Sequence, residues 1–434
     1  MKKISLLFTV AALAAITACS ELSVTVKNPI NVSSPVPTEQ ITKVSLDATQ
    51  QGYVQAGNAM AFRFLDKMYD GNNLILSPLS LQYALAMTAN GASGETLQQI
   101  IDFLGYGADG IDALNTYCKT MLEQLPAVDL DITLKLTDAL LVNDRFPLLP
   151  SFQKTVQDYY YAAVENMDFS DPAQVAATIN DWANRSTNGF IDKVLESSEI
   201  SAEAVAFLMN ALYFKAKWAG TDYSPMFRDY ATKSEKFTLS DGSTRQVSMM
   251  NNMKYHRYAE MDGYKVLALP YANGKFFMYI LLPDKNDLDG LVKKLPGISW
   301  KEVLSSFNTD AEVYVKLPKF EVENKFELSD ALNALGVKRP FVRGAAEFGQ
   351  MFQPQEQHYD YWIGKVIQKA RIAVDEWGTE AAAVTVVEMM GATSPGPGQE
   401  PKRVNFYADH PFVFLIGEAT SGTILFEGTY TGKK

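Results

Sequence analysis

Apolar residues recur along most of the chain at one of two spacings, and each spacing marks a different element. Leu81 and Leu85 follow Ser77-Pro78, a hydroxyl suited to cap a helix and a proline suited to its first turn, and Asn90-Gly91 follows as a stop. A helix is predicted between them. Leu97, Ile101 and Leu104 mark a second helix, and Val175, Ile179 and Trp182 a third, each offering one face to a core. In "DITLKLTDALLV" the spacing falls to two, at Ile132, Leu134 and Leu136, before the run turns continuously apolar; this predicts a strand. "AVAFLMNALYF", Ala204 to Phe214, is apolar almost throughout and suits a central strand covered on both faces. Near the C-terminus "HPFVFLI" and "TILFEG" flank Glu418-Ala419-Thr420-Ser421-Gly422, a hairpin pattern. From residue 45 onward helix and strand signals mix without a composition break or an internal repeat, so one large α+β domain is expected.

The N-terminus departs from this pattern. Lys2 and Lys3 precede an apolar run from Ile4 to Ile16, and Ile16-Thr17-Ala18-Cys19 resembles a bacterial lipobox. That resemblance implies a signal peptide over residues 1–18 and a diacylglyceryl group on Cys19, the new N-terminus. An ordinary secretory signal with an incidental cysteine is the alternative. The apolar run is short for a membrane span, and no later segment reaches about 18 apolar residues. The expected location is extracytoplasmic, lipid-anchored to a bacterial cell membrane. Residues 19–44, rich in Ser, Pro, Val and Thr and without a period, predict a flexible tether ahead of a domain at 45–434.

Composition narrows the function by exclusion. The chain has 434 residues, 47% of them hydrophobic, enough for a large core. Its formal net charge is −11 and its basic residues are scattered, which argues against a nucleic-acid surface. There are two cysteines, Cys19 and Cys118; with lipid on the first, no intramolecular disulfide can form. His256, His358 and His410 do not fall at metal-ligand spacing, no G-x-S-x-G elbow occurs, and "GASGE" at Gly91 lies at a helix stop. Cys118 reads as a buried apolar cysteine. Carboxylates are plentiful, but none is singled out as a glycosidase pair. No enzyme, cofactor or metal is expected.

One stretch fits none of these elements: "GTEAAAVTVVEMMGATSPGPGQEP", Gly378 to Pro401. Thr379 to Val387 lacks proline and aromatics, and its one long charged side chain is Glu380. As a strand it would turn Thr379, Ala381, Ala383, Thr385 and Val387 to one face and Glu380 to the other. One face could be buried at no polar cost. The following "ATSPGPGQEP" cannot join a sheet interior, because Pro395, Pro397 and Pro401 lack donors.

This sequence resembles the serpin family. "VDEWGTEAAAVT" (Val374 to Thr385) is similar to the family's reactive-loop hinge, and "FYADHPFVFLI" (Phe406 to Ile416) to its C-terminal signature. "ILSPLSLQYALAMTANGASGET" (Ile75 to Thr96), "NALYFKAKW" (Asn210 to Trp218), "VLALPY" (Val266 to Tyr271) and "LPKFEVE" (Leu317 to Glu323) resemble further family motifs. The likeness runs from about residue 45 to the end. It implies a fold of three β-sheets with eight or nine helices and an exposed reactive-centre loop, here about residues 376–402. It also implies an inhibitor, not an enzyme: a serine-type protease inhibitor, expected as a monomer. The loop is bait; after attack it inserts as a strand and traps the acyl-enzyme.

Carried over residue by residue, the resemblance makes Glu376, Gly378, Thr379, Glu380, Ala381, Ala382, Ala383, Val384 and Thr385 the hinge. Ser77, Ser80, Asn210, Trp218 and Gln368 mark the region where the sheet opens. Gln368 stands where the family commonly has a histidine, so a pH-sensitive opening is expected to be lost while an amide still bridges. Counting seventeen residues from Glu376 puts the reactive bond at Ala392-Thr393, with Met390-Gly391 as an alternative. The small residues at Ala392 and Thr393 point to elastase-like or subtilisin-like proteases; Met390 would suit chymotrypsin-like enzymes or papain-like cysteine proteases. A non-inhibitory relative, a binding or scaffold lipoprotein, is the alternative reading.

Overall fold

Ser77 caps the helix that follows it: its hydroxyl accepts from the Ser80 amide at 3.3 Å, and Pro78 sits in the first turn. The structure, a computed structural model, describes residues 26–106, 109–201, 203–221, 223–308, 311–357, 359–379 and 402–433. Among them helices span Ala48–Met68 (α1), Pro78–Ala89 (α2), Gly94–Leu104 (α3), Gly110–Gln124 (α4), Pro150–Tyr160 (α5), Pro172–Ser186 (α6), Leu288–Lys294 (α7), Trp300–Ser305 (α8) and Ser329–Ala334 (α9). Strands span Leu74–Leu76 (β1), Thr133–Asn143 (β2), Ala163–Met167 (β3), Ala206–Lys217 (β4), Lys233–Thr238 (β5), Thr244–Tyr255 (β6), Arg257–Met261 (β7), Tyr264–Pro270 (β8), Phe276–Pro283 (β9), Ala311–Pro318 (β10), Phe320–Glu327 (β11), Ile367–Val374 (β12), Gly378–Thr379 (β13), Lys402–Tyr407 (β14), Phe412–Glu418 (β15) and Ile424–Tyr430 (β16).

These strands form three sheets, in the orders β11-β12-β13-β4-β2-β3, β1-β16-β15-β9-β8-β7 and β14-β10-β6-β5. With nine described helices, the architecture is the α+β fold that the resemblance implies. β15 and β16 form the expected antiparallel hairpin, and every residue of both is buried. Burying each large apolar side chain there contributes about 1.5–3 kcal/mol. β4 is central, as its sequence predicts. Its Leu212, Phe214 and Ala216 join the main core, while Met209 joins a second cluster with Val175, Ile179 and Trp182 of α6. The helix α6 therefore lies across the outer face of this sheet.

The helix α2 differs from its expected one-faced form. Nearly all its residues are buried, Ser80 and Gln82 included, because it runs between sheets and contacts both β4 and β16. That course delivers the two serines Ser77 and Ser80 to the inside face of the β4 sheet.

The N-terminal segment also differs over its described part. Ile30 is fully buried in one apolar cluster with Phe169 and Trp182, and its carbonyl accepts from the Arg185 guanidinium at 2.7 Å. The Ser33 hydroxyl donates to the Tyr161 carbonyl at 2.6 Å, and the Val44 amide to the Thr420 hydroxyl at 3.0 Å. Residues 26–44 are thus laid on the domain, not a free tether. Cys19 and the signal segment lie outside the described residues.

Candidate functional site: a slot between two strands

Between β4 and β12 the described structure places only β13, two residues long. Gly378 pairs with Lys217 and Thr379 with Ala216 on one side, and Thr379 pairs with Val374 on the other. Past Thr379 no ladder joins β4 to β12 among the described residues. The gap is a cavity of about 400 Å³, with Leu212 and Phe214 of β4 on one wall and Ala370 and Ile372 of β12 on the other. Two strand edges face each other across it, and an unpaired edge is a template for a further strand.

The β13 end is held by aromatic packing and hydrogen bonds. Trp218 stacks on Tyr271 with centroids 4.5 Å apart and planes 6° from parallel. Its indole N–H donates to the Asp375 carbonyl at 2.8 Å and its amide to the Trp377 carbonyl at 3.0 Å. The Tyr271 hydroxyl meets the hydroxyl of Thr379, which is buried. Gly378 has φ +151°, and a Cβ there would sit 2.1 Å from the Ala216 carbonyl oxygen. Glycine is required for the chain to enter at this point.

Glu376 anchors the approach. Its carboxylate, 7% exposed, accepts from the Lys319 ammonium at 2.7 Å and from the Thr232 hydroxyl at 2.6 Å. Burial pushes the carboxyl up, but those two donors outweigh it and hold the group below the usual glutamate range.

Deeper in the slot a polar chain crosses from one wall to the other. Asp138 of β2 accepts from the Asn210 amide at 2.7 Å, and the Asn210 oxygen accepts from the Ser80 hydroxyl. The Ser77 hydroxyl donates to the Leu425 carbonyl at 3.1 Å. Gln368 of β12 clasps the Ser77 backbone, accepting from its N–H at 3.1 Å and donating to its C=O at 2.8 Å. Gln368 thus bridges as an uncharged amide can, holding β12 to the start of α2.

Of the residues singled out from sequence, Ser77, Ser80, Asn210 and Gln368 come together at the middle of the slot. Trp218, Glu376, Gly378 and Thr379 gather at the β13 end. The hinge residues Glu380, Ala381, Ala382, Ala383, Val384 and Thr385, and both candidate bonds, Ala392-Thr393 and Met390-Gly391, lie outside the described residues. Sequence reasoning missed Asp138 and Tyr271. Asp138 had a signal: it falls on the same parity as Leu134 and Leu136, a carboxyl on the apolar face of a strand. Away from the slot, Cys118 is fully buried, and burial pushes its thiol far above the ordinary range. Burial, and then Lys254, hold His256 down at about 4.

The sequence and the fold both have known counterparts. The chain is similar to Serpin-Z2A of Triticum aestivum, 36% identical over 369 residues that cover 82% of this chain and 89% of that protein. A crystal structure of a thermophilic serpin, Tengpin, in the native state superposes with a TM-score of 0.77 at 27% identity, covering 93% of this chain and 100% of its own. A cleaved Serpin 42Da gives 0.77 at 26% identity, covering 89% and 100%. The family model described as "Serpin (serine protease inhibitor)" matches residues 55–432. With motifs, sheets and these likenesses in agreement over nearly the whole domain, the chain belongs to the serpin family.

Proposed function

We propose that this serpin inhibits serine proteases as a suicide substrate, by taking its own cleaved loop into the slot between β4 and β12. The observation that carries the reading is the slot itself, open along most of β4 and started at one end by Gly378 and Thr379. Continued in the register of β13, the hinge would set Ala381 between Phe214 and Ile372, Ala383 between Leu212 and Ala370, and Thr385 between Asn210 and Gln368. Small or hydroxylic side chains would then meet the core, and Glu380 would face outward. Each new backbone hydrogen bond contributes about 1 kcal/mol net, so ten or more could supply on the order of 10 kcal/mol. At about 3.3 Å per residue, some fifteen inserted residues would carry an attached protease roughly 50 Å.

The bait is read as Ala392-Thr393, for elastase-like or subtilisin-like proteases. Met390-Gly391 is a second register, open to chymotrypsin-like or papain-like enzymes. Incubation with a protease panel should give an SDS-resistant complex, and mass spectrometry of the C-terminal fragment, separated in denaturant, should find Thr393 at its start. A fragment beginning at Gly391 moves the bait to Met390, and cleavage without complex overturns inhibition. Anchoring through a lipidated Cys19 belongs to the same reading. Cys19→Ala should release the protein from the detergent phase, and retention there overturns the lipobox.

A further inference from the structure

Asp138 is fully buried, and only one of its two oxygens is used. Oδ1 accepts from the Asn210 amide at 2.7 Å, whereas Oδ2 has no partner among the described atoms. Among the described residues no lysine, arginine or histidine acts on it. The titratable groups that face it are Tyr83 of α2, Cys118 of α4 and Tyr160 of α5, all fully buried and pushed upward, so all are neutral when Asp138 titrates. β4 presents only the Asn210 amide, and the residue across the slot, Gln368, carries no proton to lose. The Tyr83 hydroxyl also has no partner among the described atoms.

The chemistry of a carboxyl against an amide depends on its proton. A carboxylate can only accept, so it selects the NH₂ end of Asn210 and turns the amide oxygen toward Ser80 and the slot. A neutral carboxyl can accept or donate, so it tolerates either end. With the oxygen fixed toward the slot, Asn210 presents an acceptor to an entering hydroxyl; with the amide free to turn, it presents a mixture.

We propose that Asp138 is a positioning residue for strand insertion: ionised, it locks the Asn210 amide with its oxygen toward the slot, ready to accept from the hydroxyl of Thr385, and protonated it releases that lock. This rests on the insertion reading above. Burial is the largest influence on Asp138, partly opposed by the Asn210 hydrogen bond, and raises its carboxyl to about 7. The lock therefore operates across neutral pH, in a slot whose Gln368 cannot titrate.

The test uses the full chain and a synthetic peptide with the sequence of residues 378–389, following peptide uptake by native gel from pH 5.5 to 8.5. Wild-type uptake should accelerate about fivefold with rising pH, the scale of one net hydrogen bond. Asp138→Asn, whose amide can accept or donate at every pH, should stay flat and slow. Asp138→Ser supplies the same comparison if the first variant does not fold. A variant that keeps the wild-type pH profile, or a flat wild-type profile, overturns the role of Asp138 and leaves insertion standing. No uptake by wild type at any pH overturns the slot reading together with this one.

Discussion

The backbone at Gly378 lies against Ala216 so closely that a β-carbon would stand 2.1 Å from the Ala216 carbonyl oxygen. Gly378→Ala should therefore expel β13 from the sheet, at a strain of about 1–3 kcal/mol for the left-handed region alone. The expected outcome is insertion slowed about tenfold or more, the rate equivalent of that strain. Wild-type protein nicked within residues 380–401 should resist heat far better than intact protein, and the nicked variant should gain much less. Equal gains in both would count against the contact.

Thr379 sends its hydroxyl to Tyr271 inside the core. Thr379→Arg would place a cation there without a partner, so entry should fail after cleavage. The variant should be cut as a substrate, with a several-fold rise in the moles needed to inhibit one mole of protease. An unchanged stoichiometry would remove Thr379 from the mechanism.

Lys319 and Glu376 fix the chain just before β13. Glu376 is held below its ordinary value, so its contribution is present above the unfolded glutamate value of about 4.3 and is lost as pH falls through the lower folded value. Lys319→Met should reproduce the acid effect at neutral pH by leaving a nearly buried carboxylate without its cation. Hydrogen exchange at the Trp377 and Gly378 amides, which both donate to the Asp375 carboxylate, reports both once corrected for its intrinsic pH dependence. Faster exchange is expected for the variant and for wild type at acid pH.

Glu427 lies on β16 with both carboxylate oxygens buried and without a partner among the described atoms. Burial alone pushes its carboxyl well up. A raised folded value means that the contribution of this group to stability is greatest below about pH 4.3 and falls as pH rises toward the folded value. Glu427→Met should raise stability at pH 7 by about 1–3 kcal/mol, with a smaller gain near pH 4. Urea midpoints at the two pH values decide it; identical midpoints would mean that the carboxyl is satisfied.

The sequence made individual elements legible where one residue type carries the information alone. Ser77-Pro78 announces the start of α2, and the alternation at Leu134 and Leu136 announces β2. It could not show that Asp138 would face Asn210, because that pair is a cross-strand register between residues 72 apart in sequence. The stacking of Trp218 on Tyr271 was hidden for a similar reason: it joins the residues that directly follow β4 and β8, strands of two different sheets. Resemblance to the family named the slot's serines and Asn210, whereas residue patterning offered only Ser77 as a cap. The N-terminal segment misled because it is held by single anchors such as Ile30 and Val44. Single anchors leave no period to detect.

The chain enters the 380–401 stretch from β13 in one sheet and leaves it into β14 in another. Any break between them would make two polypeptides, and the shorter would own β14, β15 and β16. β15 lies inside its sheet between β16 and β9, and its Phe412 to Ile416 are fully buried. The nicked molecule would thus be an obligate heterodimer whose smaller subunit cannot dissociate without global unfolding. Gel filtration would record one particle of unchanged mass, and separation of the two pieces would require denaturant.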